Sequence, residues 1–168
     1  MSFDEDLALA QKATRYQDEI YNMLFSVKSL KRFQKEEESI LDIRFHIDLQ
    51  LELTNGIKLL GQEKALRFQF SQYNTFTMEF YQDRFSREEG EFFNLGAQFY
   101  LHSYWNKTED GFCKWYLVNL FNLFWWLKDR PREALERITK PSTSKASFLY
   151  FNYEELPIEC VMAKKRSQ

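Results

Sequence analysis

The chain has 168 residues, with 23 Lys+Arg against 25 Asp+Glu and a formal net charge of -2; hydrophobic residues make up 44% and Phe, Tyr and Trp together 18%. That balance excludes an intrinsically disordered chain and a generally basic nucleic-acid-coating protein, while leaving room for a local basic groove. The length suits one domain, taken as residues 1–162, with a polar basic tail over 163–168.

Cys113 and Cys160 form no CxxC pair and no metal spacing, so both read as buried thiols of a reducing, cytoplasmic compartment. Asp4, Glu5 and Asp6 stand where a signal peptide needs basic residues. The most apolar stretch, Tyr116 to Leu127, is interrupted by Asn119 and Asn122 and is too short to span a bilayer. No membrane partner is expected.

In chain order, Phe3 to Phe33 reads as helix, with Leu7, Leu9, Ala10, Ala13, Ile20, Leu24 and Val27 at three- and four-residue spacings. Glu19 sits at the edge of its apolar face, with Asp18 as a neighbouring rival. Lys35-Glu36-Glu37-Glu38 reads as a solvated helix end or connection. From Asp42 the period becomes two: Ile43, Phe45, Ile47, Leu49, Leu51 and Leu53 alternate with polar residues, the signature of an antiparallel strand. Asn55-Gly56 marks a hairpin, and Ile57 to Phe70 returns with Gln62-Glu63-Lys64 in its middle. Further strands are expected at 75–82, 92–105, 112–118 and 148–153, with turns at Glu89-Gly90 and Asp110-Gly111. Asn119 to Glu136 reads as helix interrupted near Pro131, and 139–147 as a loop. This order is α+β.

The hairpin register decides which side chains share a face. A two-residue turn pairs residues whose numbers sum to 111 and sets Asp48 opposite Glu63. A three-residue loop, with Gly56 left-handed, makes the sum 110 and sets Asp48 opposite Gln62 and His46 opposite Lys64. We take the three-residue register because it groups Asp48, Gln62 and Lys64. Asp48 then supplies an anionic oxygen, Gln62 a neutral one and the Glu63 backbone carbonyl a third. Such an oxygen-only set suits Mg²⁺ or Mn²⁺, with Lys64 placed to act on a water or a phosphate.

Glu19 on a helix, Asp48 on a strand, a hairpin and Gln62-Glu63-Lys64 on the returning strand resemble the PD-(D/E)xK nucleases. The stretches Phe76-Thr-Met-Glu-Phe-Tyr, Gly90-Glu-Phe-Phe and Ala97-Gln-Phe-Tyr are similar to small uncharacterised phage and prophage proteins of that superfamily. The resemblance covers about residues 15 to 127. It implies a restriction-endonuclease-like mixed central sheet flanked by helices, and hydrolysis of phosphodiester bonds in DNA that depends on a divalent metal. Asp48, Gln62, Lys64 and Glu19 are then the site residues, with Asp48, Gln62 and Glu63 nearest the metal. Gln62 stands where the family has Glu or Asp, which removes one negative charge from the metal site. A catalytically inactive binding module on the same fold, and a homodimer, are the alternatives in function and assembly.

His46 and His102 each lack a second histidine at ligand spacing, and Glu79 reads as the polar face of its strand. Lys128, Arg130, Arg132, Arg137, Lys140, Lys145, Lys164, Lys165 and Arg166 make the C-terminal third a candidate phosphate-backbone contact, equally readable as solvated surface. The stripe Phe121, Phe124, Trp125 and Leu127 reads first as core or interface and second as a base-stacking surface.

Overall fold

A computed structural model describes residues 3–33, 39–142 and 144–165. The charge run at 35–38, Thr143 and Arg166 therefore lie outside the described residues. Helix α1 (Phe3–Leu24) leads into strand β1 (Val27–Arg32), helix α2 (Ser39–Phe45) and the hairpin β2 (Leu49–Leu53) and β3 (Lys58–Leu66). Strands β4 (Thr75–Asp83) and β5 (Glu88–Glu89), helix α3 (Glu91–Asn94) and strands β6 (Phe99–Trp105) and β7 (Phe112–Asn119) follow. Helices α4 (Leu120–Leu127) and α5 (Arg132–Arg137) and strands β8 (Thr139–Pro141), β9 (Ser147–Asn152) and β10 (Val161–Lys165) complete the chain. The fold is α+β, as the sequence indicated. Among the described residues, no helix is long and apolar enough to cross a membrane.

Two sheets organise these elements. The larger runs β1-β2-β3-β6-β7-β10 and is mixed: β3 and β6 are parallel and every other neighbouring pair is antiparallel. The smaller runs β5-β4-β9-β8 and is antiparallel throughout. Strand alternation divides the core between the two faces of the larger sheet. Leu49, Leu51, Phe99, Leu101 and Trp105 pack with Ala13, Ile20 and Tyr21 of α1. Tyr100, Tyr104, Tyr116 and Val118 turn the other way, toward Phe76, Met78 and Phe80 of β4, Leu149 and Phe151 of β9, and Leu120, Leu123 and Leu127 of α4. The aromatic excess is mostly this double core. The exposed aromatics among the described residues are Phe45, Phe68, Phe70, Tyr73, Phe85 and, on α4, Phe121 and Trp125, which leave the expected stripe and face solvent.

The hairpin has the three-residue register: Leu49↔Gly61, Gln50↔Leu60, Leu51↔Leu59 and Glu52↔Lys58, each pair summing to 110. Gly56 has φ 83, the left-handed value that this loop requires. Gly61 is needed for a different reason, since a Cβ there would collide with the ring of Phe99.

Several expectations are corrected. The first helix stops at Leu24, and 27–32 form β1, whose partner β2 supplies the sheet neighbour that helical spacing cannot anticipate. The alternation that began at Asp42 is strand only from Leu49; residues 39–45 are helix, leaving Ile40, Ile43 and Phe45 exposed. Residues 91–94 are helix rather than strand, and part of the expected 139–147 loop pairs as β8. Ala163, Lys164 and Lys165, expected as tail, are bonded to the β7 edge opposite Leu117, Tyr116 and Trp115.

Candidate functional site

The strand β2 is shorter than β3, and the candidate site grows from that mismatch. Their ladder begins at Leu49↔Gly61, so the β2-side edge of β3 beyond Gly61 has no strand partner. Asp48 fills the first gap. Its N–H donates to the Gly61 carbonyl at 2.9 Å, and its Oδ2 accepts the Glu63 N–H at 2.7 Å. A strand residue points its N–H and C=O to the same edge, so the Glu63 carbonyl also faces the Asp48 side.

Gln62 lies across from Asp48. One end of its amide is 3.3 Å from each Asp48 carboxylate oxygen and 2.5 Å from the His46 carbonyl oxygen. With the nitrogen there, the amide donates to these acceptors. With the oxygen there, four oxygens face one another, and only a cation among them would hold the arrangement. His46 has φ 48 and follows α2. This left-handed residue ends the helix, its N–H donating to the Asp42 carbonyl at 3.0 Å.

Burial pushes the Asp48 carboxyl up to about 8, and the charges of Glu63, Asp42 and Glu91 add to the effect while the Glu63 N–H opposes it. Burial also raises Glu79, helped by Glu91 and opposed by Lys64. Glu91 is itself buried and bonds Tyr100, the sheet neighbour of Gln62. The face carrying Gln62 therefore collects acids from three elements.

Lys64 projects from that same face, two residues beyond Gln62. Its Nζ lies over the Phe148 ring, 5.0 Å from the centroid. Its charge helps hold the neighbouring His102 neutral, although burial is the main cause. His102 is a core residue, with Nδ1 2.7 Å from the Tyr153 hydroxyl.

Glu63 points the opposite way, toward α1. Arg32 donates to it from Nε and Nη2, both at 3.1 Å, and Tyr21 OH donates at 2.9 Å. Arg32 Nη2 also donates to Asp18 at 2.7 Å. Burial raises the Glu63 carboxyl, with Arg32 and Tyr21 pulling it back. Glu19 does not join this group. Its side chain is 62% exposed, pairs with Arg15 at 3.5 Å and lines a separate surface depression with Asn106 and Asp110. Asp18, the rival, is the α1 acid that reaches the hairpin through Arg32.

The structure thus brings Asp48 and Gln62 into contact, sets Lys64 on their face and leaves Glu19 outside. Arg32 was hidden in a stretch that read as helix. Glu91 gave no sequence signal beyond an acid after Gly90. Among the described residues, no three His, Cys, Asp or Glu side chains are arranged to hold a metal ion. Asp48 with the neutral oxygens of Gln62, His46 and Glu63 nevertheless fits the way Mg²⁺ is commonly held: one or two carboxylates, retained waters and substrate phosphate. The basic segment of the C-terminal third is largely committed elsewhere: Arg132 pairs with Glu89 at 2.8 Å and Lys145 with Asp83 at 3.2 Å. Lys128 and Arg130 lie over the rings of Trp125 and Trp126.

No protein-family model matches this sequence, no curated protein matches it and no solved structure matches its fold.

Proposed function

We propose that this chain is a restriction-endonuclease-like, PD-(D/E)xK-type protein of the phage or prophage kind that hydrolyses phosphodiester bonds in DNA with Mg²⁺ or Mn²⁺. The observation that carries this reading is the hairpin register, which sets Asp48 against Gln62 with Lys64 on the same face. The helix, antiparallel hairpin and mixed sheet around it support the same reading.

Asp48 and the Gln62 amide oxygen, once the amide turns over, would hold the metal together with the His46 or Glu63 backbone carbonyl. Held there by Asp48 and Gln62, a divalent ion would supply Lewis-acid activation of water and of the scissile phosphate. Lys64, on the same face as Gln62, would neutralise charge on the phosphate as it develops. The Glu63–Arg32–Tyr21 group on the far face fixes the strand that presents Gln62 and Lys64. Glu19 has no part.

One observation favours a second reading, a non-catalytic binding module on the same fold. The Gln62 amide can satisfy Asp48 and His46 without any metal. Incubation of the purified chain with linear, nicked and single-stranded DNA in Mg²⁺ or Mn²⁺ separates the two. The nuclease reading expects cutting, reduced by roughly 10²–10³-fold in Lys64→Ala with the circular dichroism unchanged. Survival of every DNA form, with no thermal shift in millimolar Mn²⁺, leaves the binding module.

A further inference from the structure

On the smaller sheet, Tyr81, Arg84, Glu136, Thr139, Pro141 and Ser147 line a cavity of about 290 Å³. None of these residues belongs to the Asp48 group. Strand alternation keeps the two apart: Ser147 shares its side of β9 with Leu149 and Phe151, while Phe148, the ring beneath Lys64, alternates to the other side. Ser147 is the unusual residue of the lining. It is 4% exposed, and its Oγ is a buried hydroxyl without a hydrogen-bond partner among the described residues. Native structures rarely leave a buried polar atom in that state. A ligand in the cavity that Ser147 lines would supply the partner.

The other walls show what that partner is. The Tyr81 hydroxyl oxygen accepts from Arg87 Nε at 3.3 Å, Arg87 Nη2 at 3.1 Å and Arg132 Nη2 at 3.4 Å. With its lone pairs taken by guanidinium donors, its own O–H remains to donate. Arg84 adds a charge to the wall. Its Nη1 donates to the carbonyls of Ser142, Ser144 and Ala146, which holds the guanidinium in place. Arg132 Nε is a second buried donor without a partner among the described residues. The acids nearby are already matched: Glu136 pairs with Arg87 at 2.9 Å, Glu89 with Arg132 at 2.8 Å and Asp83 with Lys145 at 3.2 Å. The charge of Arg84 and a surplus of N–H and O–H donors are left over. Their complement is a compact anion rich in acceptor oxygens. The cavity falls just below the roughly 300–1,000 Å³ of sites for drug-sized ligands, so it suits one phosphoryl group better than a whole nucleoside. We propose that this cavity is a phosphate-binding site: it takes a phosphate monoester, with Arg84 facing its charge and the Tyr81 and Ser147 hydroxyls donating to its oxygens. The site lies beyond the hydrolytic reading and needs neither the metal nor Asp48.

The test is binding in EDTA, where cutting plays no part. Inorganic phosphate is titrated to millimolar concentration into ¹⁵N-labelled protein at constant ionic strength. It should shift the amides of Arg84, Thr139 and Ser147. Ser147→Ala should weaken binding roughly tenfold with the Tm unchanged or raised, because the hydroxyl has no bond to lose. Glu136→Gln, which removes the one acid of the lining, should tighten binding. The proposal is overturned if phosphate leaves those amides unmoved, if Ser147→Ala binds unchanged, or if Glu136→Gln binds more weakly. Competitors then identify the source of the monoester. Displacement by a 5′-phosphorylated oligothymidylate, but not by its 5′-hydroxyl counterpart, supports the site with a strand end as its ligand. Displacement by thymidine 5′-phosphate alone supports it with a free nucleotide. Displacement by neither overturns the monoester assignment.

Discussion

Glu63 and Asp48 are neighbouring acids linked by the bond that the Glu63 backbone N–H donates to Asp48 Oδ2, yet the two faces of the larger sheet treat their carboxyls differently. On the α1 face, Glu63 receives two bonds from Arg32 and one from Tyr21, and Arg32 is shared with Asp18. On the opposite face, Asp48 receives one backbone N–H and the Gln62 amide, with acids rather than a cation as its nearest charges. Stability calls for the first arrangement. The second leaves a desolvated carboxyl without an ion pair among the described residues, and such groups concentrate at functional sites. Adjacent residues of one strand, Gln62 and Glu63, thus serve two purposes because the pleat sends them to opposite faces.

Removing the cation from the satisfied face should have the largest effect. Arg32 is 13% exposed and Glu63 8% at the side chain. Arg32→Met would strand the Glu63 carboxyl, and breaking a buried pair in this way costs about 3 kcal/mol or more. Urea unfolding at pH 7 measures it. The double variant Arg32→Met/Glu63→Leu should regain most of that loss, because an apolar pair carries no uncompensated charge. Equal instability in the double variant would show that the pair's geometry, rather than its charge, holds α1 to the sheet.

The unsatisfied face should respond with the opposite sign. The Asp48 carboxyl sits at about 8 in the folded chain against an ordinary 3.8. A carboxyl raised on folding favours the native state while protonated. Its contribution is therefore complete below pH 4 or so and drains away as pH climbs to about 8. Asp48→Asn removes the penalty. In EDTA at pH 8.5 it should be more stable than the parent by on the order of 2 kcal/mol, with the difference vanishing near pH 4, read from thermal unfolding at the two pH values. The same variant should lose cutting. A substitution that stabilises and inactivates together is the mark of a residue kept for function at a cost in stability. If Asp48→Asn destabilises at both pH values, Asp48 is a structural cap on the β3 edge and nothing more.

The contrast also explains what could be read in the sequence. The hairpin and its register were legible because Asn55-Gly56 sets a short-range turn, and turn length fixes every pairing behind it. Asp48 and Gln62 followed from that arithmetic. Arg32 did not, because Val27 to Arg32 becomes strand through its long-range pairing with β2, and local spacing favoured a continued helix. The same limit misassigned 42–47: Ile43, Phe45 and Ile47 alternate as a strand would, yet Ile43 is exposed on a helix and Ile47 is buried beyond it. The α1 acid that reaches the hairpin through Arg32 is Asp18 and not the expected Glu19, a difference of one position, or 100° of helix rotation, which no edge-of-face estimate resolves without knowing where the sheet lies.

That one-position difference supplies the smallest expected effect and the sharpest control. Among the described residues, Glu19 is exposed and pairs with the exposed Arg15, so Glu19→Gln should change stability by no more than about 0.5 kcal/mol. Cutting should not change at all. Asp18→Asn, one residue earlier, weakens a bond to Arg32 at 2.7 Å and so loosens the support of Glu63. It should cost about 1 kcal/mol, with a cutting rate that falls only as far as the strand carrying Gln62 loses its rigidity. Both variants remove one negative charge from the same turn of α1, so any general electrostatic effect on DNA binding is common to them. A larger loss of cutting in Glu19→Gln than in Asp18→Asn would mean that the helix acid acts directly on the metal or its water, and would reverse the assignment made from the Arg32 bridge.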